Sequence, residues 1–179
     1  MRQSAPARLF HGFLLISALA MVPGAGFARV AEPAKPPFTA VIALENPDSV
    51  TGQDAYTIKA GSKVFIRVRL TNISRRKLSL GYDKDSRTNI DFFNEYEVRD
   101  MNGNLIPKRP IDQIGSTAHG WPERVLKPGE SMEITGDFLS RLFDLSQLDT
   151  YTVQLTRRVS GDPKDGVVKS NTITVVVTR

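Results

Sequence analysis

The sequence predicts an all-β protein built as an antiparallel β-sandwich of about seven to nine strands. Three observations predict it. From Phe38 onward the apolar residues recur with a period of two. Clusters of Gly, Pro, Asn and Asp punctuate that pattern at short intervals. No stretch carries the apolar spacing of a helix three turns long.

The elements follow in order. Phe38, Ala40, Ile42 and Leu44 alternate with Thr39, Val41 and Ala43 in a first strand that Asn46-Pro47-Asp48 stops. Tyr56 to Lys59 resumes before the turn Ala60-Gly61-Ser62. The clearest strand is Lys63 to Asn72, with Val64, Ile66, Val68 and Leu70 facing inward and Phe65, Arg67, Arg69 and Thr71 outward. Strict alternation is the signature of a sheet with one wet face, hence antiparallel pairing. Leu78, Leu80 and Tyr82 continue it. Tyr96 and Val98 lead into Asp100-Met101-Asn102-Gly103-Asn104, where Asn-Gly predicts a type I′ hairpin ahead of Leu105 and Ile106. Lys127-Pro128-Gly129-Glu130 makes a turn before Met132 and Ile134, and the spacing of Leu139, Leu142 and Phe143 predicts one helical turn. Tyr151, Val153 and Leu155 form the next inward row. Residues 161–166 read as a loop and Thr172 to Thr178 as the last strand. Tyr151 opens its strand two residues before an inward valine, the spacing of a tyrosine corner, so the sandwich is expected to be immunoglobulin-like. The phenol would then bond a loop carbonyl while its ring packs in the core.

The N-terminus has a different composition. Arg2 and Arg8 precede a ten-residue, mostly apolar run from Phe13 to Val22; Pro23 and Gly24 break it, and Gly26-Phe27-Ala28 places small residues at a cleavage site. This layout predicts a secretory signal peptide over residues 1–28. The run is short of the roughly 20 apolar residues of a membrane span, so no stable membrane insertion is expected after its removal. Residues 29–37 read as a Pro/Ala-rich tether and 38–179 as the domain, in a protein destined for the periplasm or the exterior.

Composition limits the chemistry. The 179 residues include no cysteine, which excludes disulfides, thiolate metal sites and cysteine nucleophiles. Without Arg2 and Arg8, 22 basic residues stand against 19 acidic ones, a net charge of +3. That charge is dispersed, and no aromatic residues interleave with Arg75, Arg76, Lys77, Lys108, Arg109, Arg157 and Arg158, so nucleic acid is not an expected partner. Past the signal, His119 is the only histidine, too few for a histidine metal site. No Gly-x-Ser-x-Gly turn presents a nucleophile, and no glycine-rich loop cradles phosphate. Asp83, Asp85, Asn89 and Asp91 share a loop, but the remaining ligands of a calcium loop are missing. The expectation is a non-enzyme with no catalytic residue, no cofactor and no metal.

Binding is the remaining class. Ile114 to Arg124 lacks strand periodicity and holds His119, the sole tryptophan Trp121, Pro122 and Arg124, residue types favoured in contacts. These four are the candidate partner-binding residues, with the alternative that Trp121 only plugs the end of the sandwich. Unpaired edge strands are a second docking feature. The expected function is an exported binding or structural module at the bacterial cell envelope, its partner a protein or polysaccharide. The alternative is a regulator or inhibitor of an extracellular protease, using Ile106-Pro107-Lys108-Arg109-Pro110 as the inserted loop.

The phrases Lys59-Ala60-Gly61-Ser62-Lys63-Val64, Leu70-Thr71-Asn72-Ile73-Ser74 and Leu126-Lys127-Pro128-Gly129-Glu130-Ser131 resemble an uncharacterised family of secreted bacterial immunoglobulin-like domains. Leu142 to Leu155 and Lys169 to Ile173 extend the resemblance, which implies the fold and no reaction. A fainter similarity, carried by Thr-Asn-x-Ser and Pro-Gly-Glu-Ser, runs to bacterial proteinase-inhibitor domains. The Ser-Gly-Gln motif of that family is absent near Leu80-Gly81-Tyr82-Asp83.

Overall fold

Period-two burial carries the chain through ten strands and one helical turn among the described residues. A computed structural model describes residues 35–82, 91–110, 123–159 and 166–179. All lie within one compact unit, Ala34–Arg179. The strands are β1 (Phe38–Leu44), β2 (Ser49–Gly52), β3 (Ala55–Lys59), β4 (Phe65–Asn72), β5 (Leu78–Gly81), β6 (Asn94–Arg99), β7 (Glu123–Leu126), β8 (Ser131–Phe138), β9 (Thr150–Arg158) and β10 (Val167–Thr178). The helical turn α1 spans Leu139–Leu142, where the 3,1 spacing of Leu139, Leu142 and Phe143 buries all three.

One sheet has the order β1-β4-β8 and the other β2-β3-β10-β9-β6, while β5 pairs with β7. Ile42, Ile66, Val68, Leu70, Val153, Leu155, Ile173 and Val175 are fully withdrawn from water between the sheets. Burying each such side chain contributes about 1.5–3 kcal/mol relative to exposure. This is the immunoglobulin-like sandwich that the alternation predicts. Every ladder is antiparallel but one: β3 runs parallel to β10. After β1 the chain crosses to the second sheet through the β2/β3 hairpin, and so arrives at β10 from the same end.

The β5/β7 ladder continues β4/β8. Pairing proceeds from Phe65↔Phe138 to Thr71↔Ser131 and resumes at Leu78↔Leu126. Asn72, fully buried, joins the two halves. Its Nδ2 donates to the carbonyls of Arg76 and Leu126 at 2.8 and 3.0 Å, and its Oδ1 accepts from Ser74 N–H and Oγ at 2.9 and 2.8 Å. Gly129, at φ +78°, donates its N–H to Asn72 O at 2.8 Å. A Cβ there would be strained by the backbone angle. The Thr-Asn-x-Ser and Pro-Gly-Glu-Ser phrases are therefore two halves of one joint.

The Asn102-Gly103 turn differs from the type I′ hairpin expected. Asp54 is the only non-glycine residue with positive φ among those described, so Asn102 does not adopt the required angle; Gly103 alone does, at +81°. Gly103 N–H donates to Asp100 O at 3.0 Å, and the Asp100 carboxylate accepts from the N–H groups of Asn102 and Asn104. Those bonds favour the longer loop with a glycine bulge. Beyond it Leu105 makes only an isolated bridge to Arg99.

Tyr151 fulfils the corner. Its ring is 2% exposed and its hydroxyl lies 3.4 Å from the Gln147 carbonyl it donates to, four residues upstream.

Both long seams of the sandwich are closed by a side chain at a bulge. In β10 the register shifts between Lys169 and Thr172, and Asn171 at that shift reaches to β1. Its Oδ1 accepts Ile42 N–H at 2.7 Å and its Nδ2 donates to Ile42 O at 3.1 Å, imitating a neighbouring strand. In β8 the register shifts between the pairs made by Ile66 and Val68, with Gly136 at φ +86°. The next residue, Asp137, reaches to β6, accepting from Asn94 Nδ2 at 2.7 Å and Tyr96 Oη at 2.6 Å.

Candidate functional site

The largest concentration of polar chemistry lies inside the molecule. Arg157 was expected on a strand face; it is instead 1% exposed, because it continues the inward row of Tyr151, Val153 and Leu155. Arg157 Nη1 donates to Asp91 Oδ2 and Asn94 Oδ1, each at 2.7 Å, and Nη2 donates to Gly81 O at 2.8 Å. The guanidinium carbon sits 5.4 Å from the centroid of the Phe93 ring. Arg157 Nε is the one buried side-chain nitrogen or oxygen without a hydrogen-bond partner among the described residues. Asp91 belongs to the acidic loop considered for calcium, and it is fully buried against this arginine. Asp83, Asp85 and Asn89 lie outside the described residues.

Asp137 completes the cluster. Burial pushes its carboxyl above the ordinary aspartate range, with the negative charge of Asp91 adding to the rise; bonds from Tyr96 and Asn94 act the other way. Tyr96 is pushed well above the usual phenol value by burial and by Asp137. These groups face one another within the seam, where they bond two sheets together. Among the described residues no three His, Asp or Glu side chains gather to hold a metal.

The site that faces outward is a groove of about 380 Å³ beside β8. Met132, Glu133, Ile134 and Thr135 form one wall, and Tyr82, Glu123 and Arg124 the other. Arg124 is the one sequence-predicted site residue that is described: exposed, on β7, opposite Leu80. His119, Trp121 and Pro122 lie outside the described residues. The opposite charges on the groove are engaged: Glu133 binds Arg69 at 2.6 Å, and Glu123 accepts from Ser79 Oγ at 2.7 Å. The Arg69 bond holds the Glu133 carboxyl below its ordinary range. Arg124 makes no ion pair among the described residues.

Tyr82 and the β8 edge are the site features that sequence reasoning missed, because the joint at Asn72 folds β5 and β7 beside β8. The segment Ile106 to Pro110 runs outside the strands and is pinned. Ile106 N–H donates to Val98 O at 2.8 Å, Arg109 N–H to Leu142 O at 2.7 Å, and Arg109 pairs with Asp144 at 2.9 Å.

No family model and no curated protein matches the chain. Among solved structures it is similar to the ASH/PapD-like domain of human CEP192 (PapD-like domain 7), with 13% identity and a TM-score of 0.28. That similarity covers 87% of this chain and 96% of that one. So distant a likeness carries no information about partners.

Proposed function

We propose that the chain, once residues 1–28 are removed, is a non-enzymatic module exported to the periplasm or exterior. There it binds a protein or polysaccharide of the bacterial cell envelope through the groove beside β8. The observation that carries this reading is the pair of exposed residues Ser131 and Glu133 of β8 beside a groove whose other wall holds Arg124, which makes no ion pair among the described residues. The displaced titratable groups, Asp137 and Tyr96, bond each other inside the seam and are already used in holding the sheets. No helix among the described residues is long and apolar enough to cross a membrane.

The test is retention of envelope extract on the immobilised protein, eluted by a salt gradient. A component held through moderate salt by the native protein and lost with Arg124→Glu supports the reading. Equal elution from both proteins contradicts it.

One observation favours the protease-regulator reading. Ile106 to Pro110 is anchored at both ends and carries exposed Lys108 and Arg109, as a rigid loop entering a trypsin-like cleft requires. Unchanged protease rates in excess protein remove it.

A further inference from the structure

We propose that the turns at the Asn72 joint form a basic surface that docks on an anionic lipid bilayer, with Ile73 entering the headgroups. This surface is separate from the groove, since none of its residues lines it.

The joint gathers cations that the sequence disperses. Arg75, Arg76 and Lys77 stand fifty residues or more before Lys127. Asn72 Nδ2 bonds both Arg76 O and Leu126 O, so the two turns lie side by side at the end of β4. Extending the Leu78↔Leu126 register by one residue sets Lys77 across from Lys127. All four cations are exposed, and none makes an ion pair among the described residues. The one acid within residues 73–77 and 127–131 is Glu130, whose carboxylate accepts the Lys127 N–H at 2.9 Å. Three positive charges are left in excess on the two turns. Glu133, next along β8, is paired with Arg69 and subtracts nothing.

The bonds that hold the joint use backbone groups and the side chains of Asn72 and Ser74, not the four cations. Like charges set opposite one another destabilise a strand pair. Packing therefore does not account for the arrangement, whereas an anionic partner does. Ile73, 42% exposed, stands in the same turn, and its N–H donates to Pro37 O at 3.0 Å. That bond brings the entry to β1, with exposed Lys35, to this end as well. An exposed apolar side chain next to several cations suits the bilayer interface, where apolar burial and attraction to anionic lipid add. Each basic residue near such a surface strengthens binding, and the attraction fades over a Debye length of about 10 Å at 0.1 M salt. Small-ligand sites are instead concave and lined by apolar and aromatic side chains. Residues 73–77 and 127–131 contain no aromatic ring.

The test is co-sedimentation with lipid vesicles at about 0.1 M salt. The buried core lies within Ala34–Arg179, so the protein beginning at Arg29 is used. It is expected to bind vesicles of phosphatidylcholine and phosphatidylglycerol in equal parts, and pure phosphatidylcholine at least about tenfold more weakly. Arg75→Glu combined with Lys77→Glu should weaken binding at least about tenfold without lowering the unfolding temperature. Lys59→Glu combined with Lys63→Glu changes the net charge equally, but ahead of β4 rather than after it. That strand separates the two ends by about 25 Å, beyond a Debye length, so binding should stay within about twofold. Ile73→Ser should weaken vesicle binding at least about threefold and leave binding to dextran sulfate, a soluble polyanion, unchanged.

No binding to the mixed vesicles, equal binding to the neutral ones, or equal losses from the two charge-reversed pairs would each overturn the inference. So would vesicle binding indifferent to Ile73→Ser, which would make the partner any polyanion rather than a bilayer.

Discussion

Arg157 sits at a position that the strand period assigns to the core, and Asp91 supplies the charge that lets it stay there. Removing one member of a fully buried pair strands the other charge in a low-dielectric interior, at a cost of about 3–5 kcal/mol. Asp91→Ala is therefore expected to lower the unfolding free energy by that amount in denaturant titration. Replacing both residues with leucine and methionine should cost much less, since no charge is left unpaired. The inward placement of Arg157 was legible in principle, because Tyr151, Val153, Leu155 and Arg157 are each two apart. Its charge argued for the surface, and the decisive partner lies 66 residues away, beyond any local pattern. Tyr151 was legible with its role, being fixed by neighbours four residues upstream. At 3.4 Å its hydroxyl bond is long, so Tyr151→Phe should cost about 0.5 kcal/mol or less, whereas Tyr151→Ala should cost about 3–5 kcal/mol by leaving a cavity.

At the scale of elements, a bulge brings one polar side chain to each seam. Ile42 is fully buried, so Asn171→Ala leaves its N–H and C=O without partners. The expected loss is about 2 kcal/mol, with faster amide exchange confined to β1 as the readout. Asp137 makes the opposite seam sensitive to pH. Its folded-state value is raised above the ordinary 3.8, so the folded protein binds the proton more tightly than the unfolded chain. Its contribution to stability is complete below about 3.8 and is lost as pH rises through the folded-state value. Asp137→Asn should flatten that part of the profile, measured as the difference in unfolding free energy between the two proteins across pH. The Asn171 bulge left a trace in the sequence. Inward residues run at even numbers through Val168 and Ser170 and at odd numbers from Ile173, a slip of one. Asp137 left none, because a carboxylate in a strand reads as an outward residue until its cross-sheet partners are known.

Across the whole molecule, alternation was sufficient for the sandwich and the inward rows of β1, β4, β8 and β9, and the 3,1 spacing of Leu139, Leu142 and Phe143 for the helical turn. Alternation specifies which way a side chain points, not which strand lies beside which. The parallel β3/β10 pair, the joint at Asn72 and the groove all depend on strand order and were hidden for that reason. The resemblance phrases around Asn72 and Gly129 carry the fold because they form that joint, and the groove they position lies beside β8.

Hydrogen exchange along β8 tests that account most directly. Rapid exchange at the amides of Ser131 and Glu133, alternating with strong protection at Met132 and Ile134, is the predicted result. Uniform protection across the four would mean that the edge is already covered, and would contradict it.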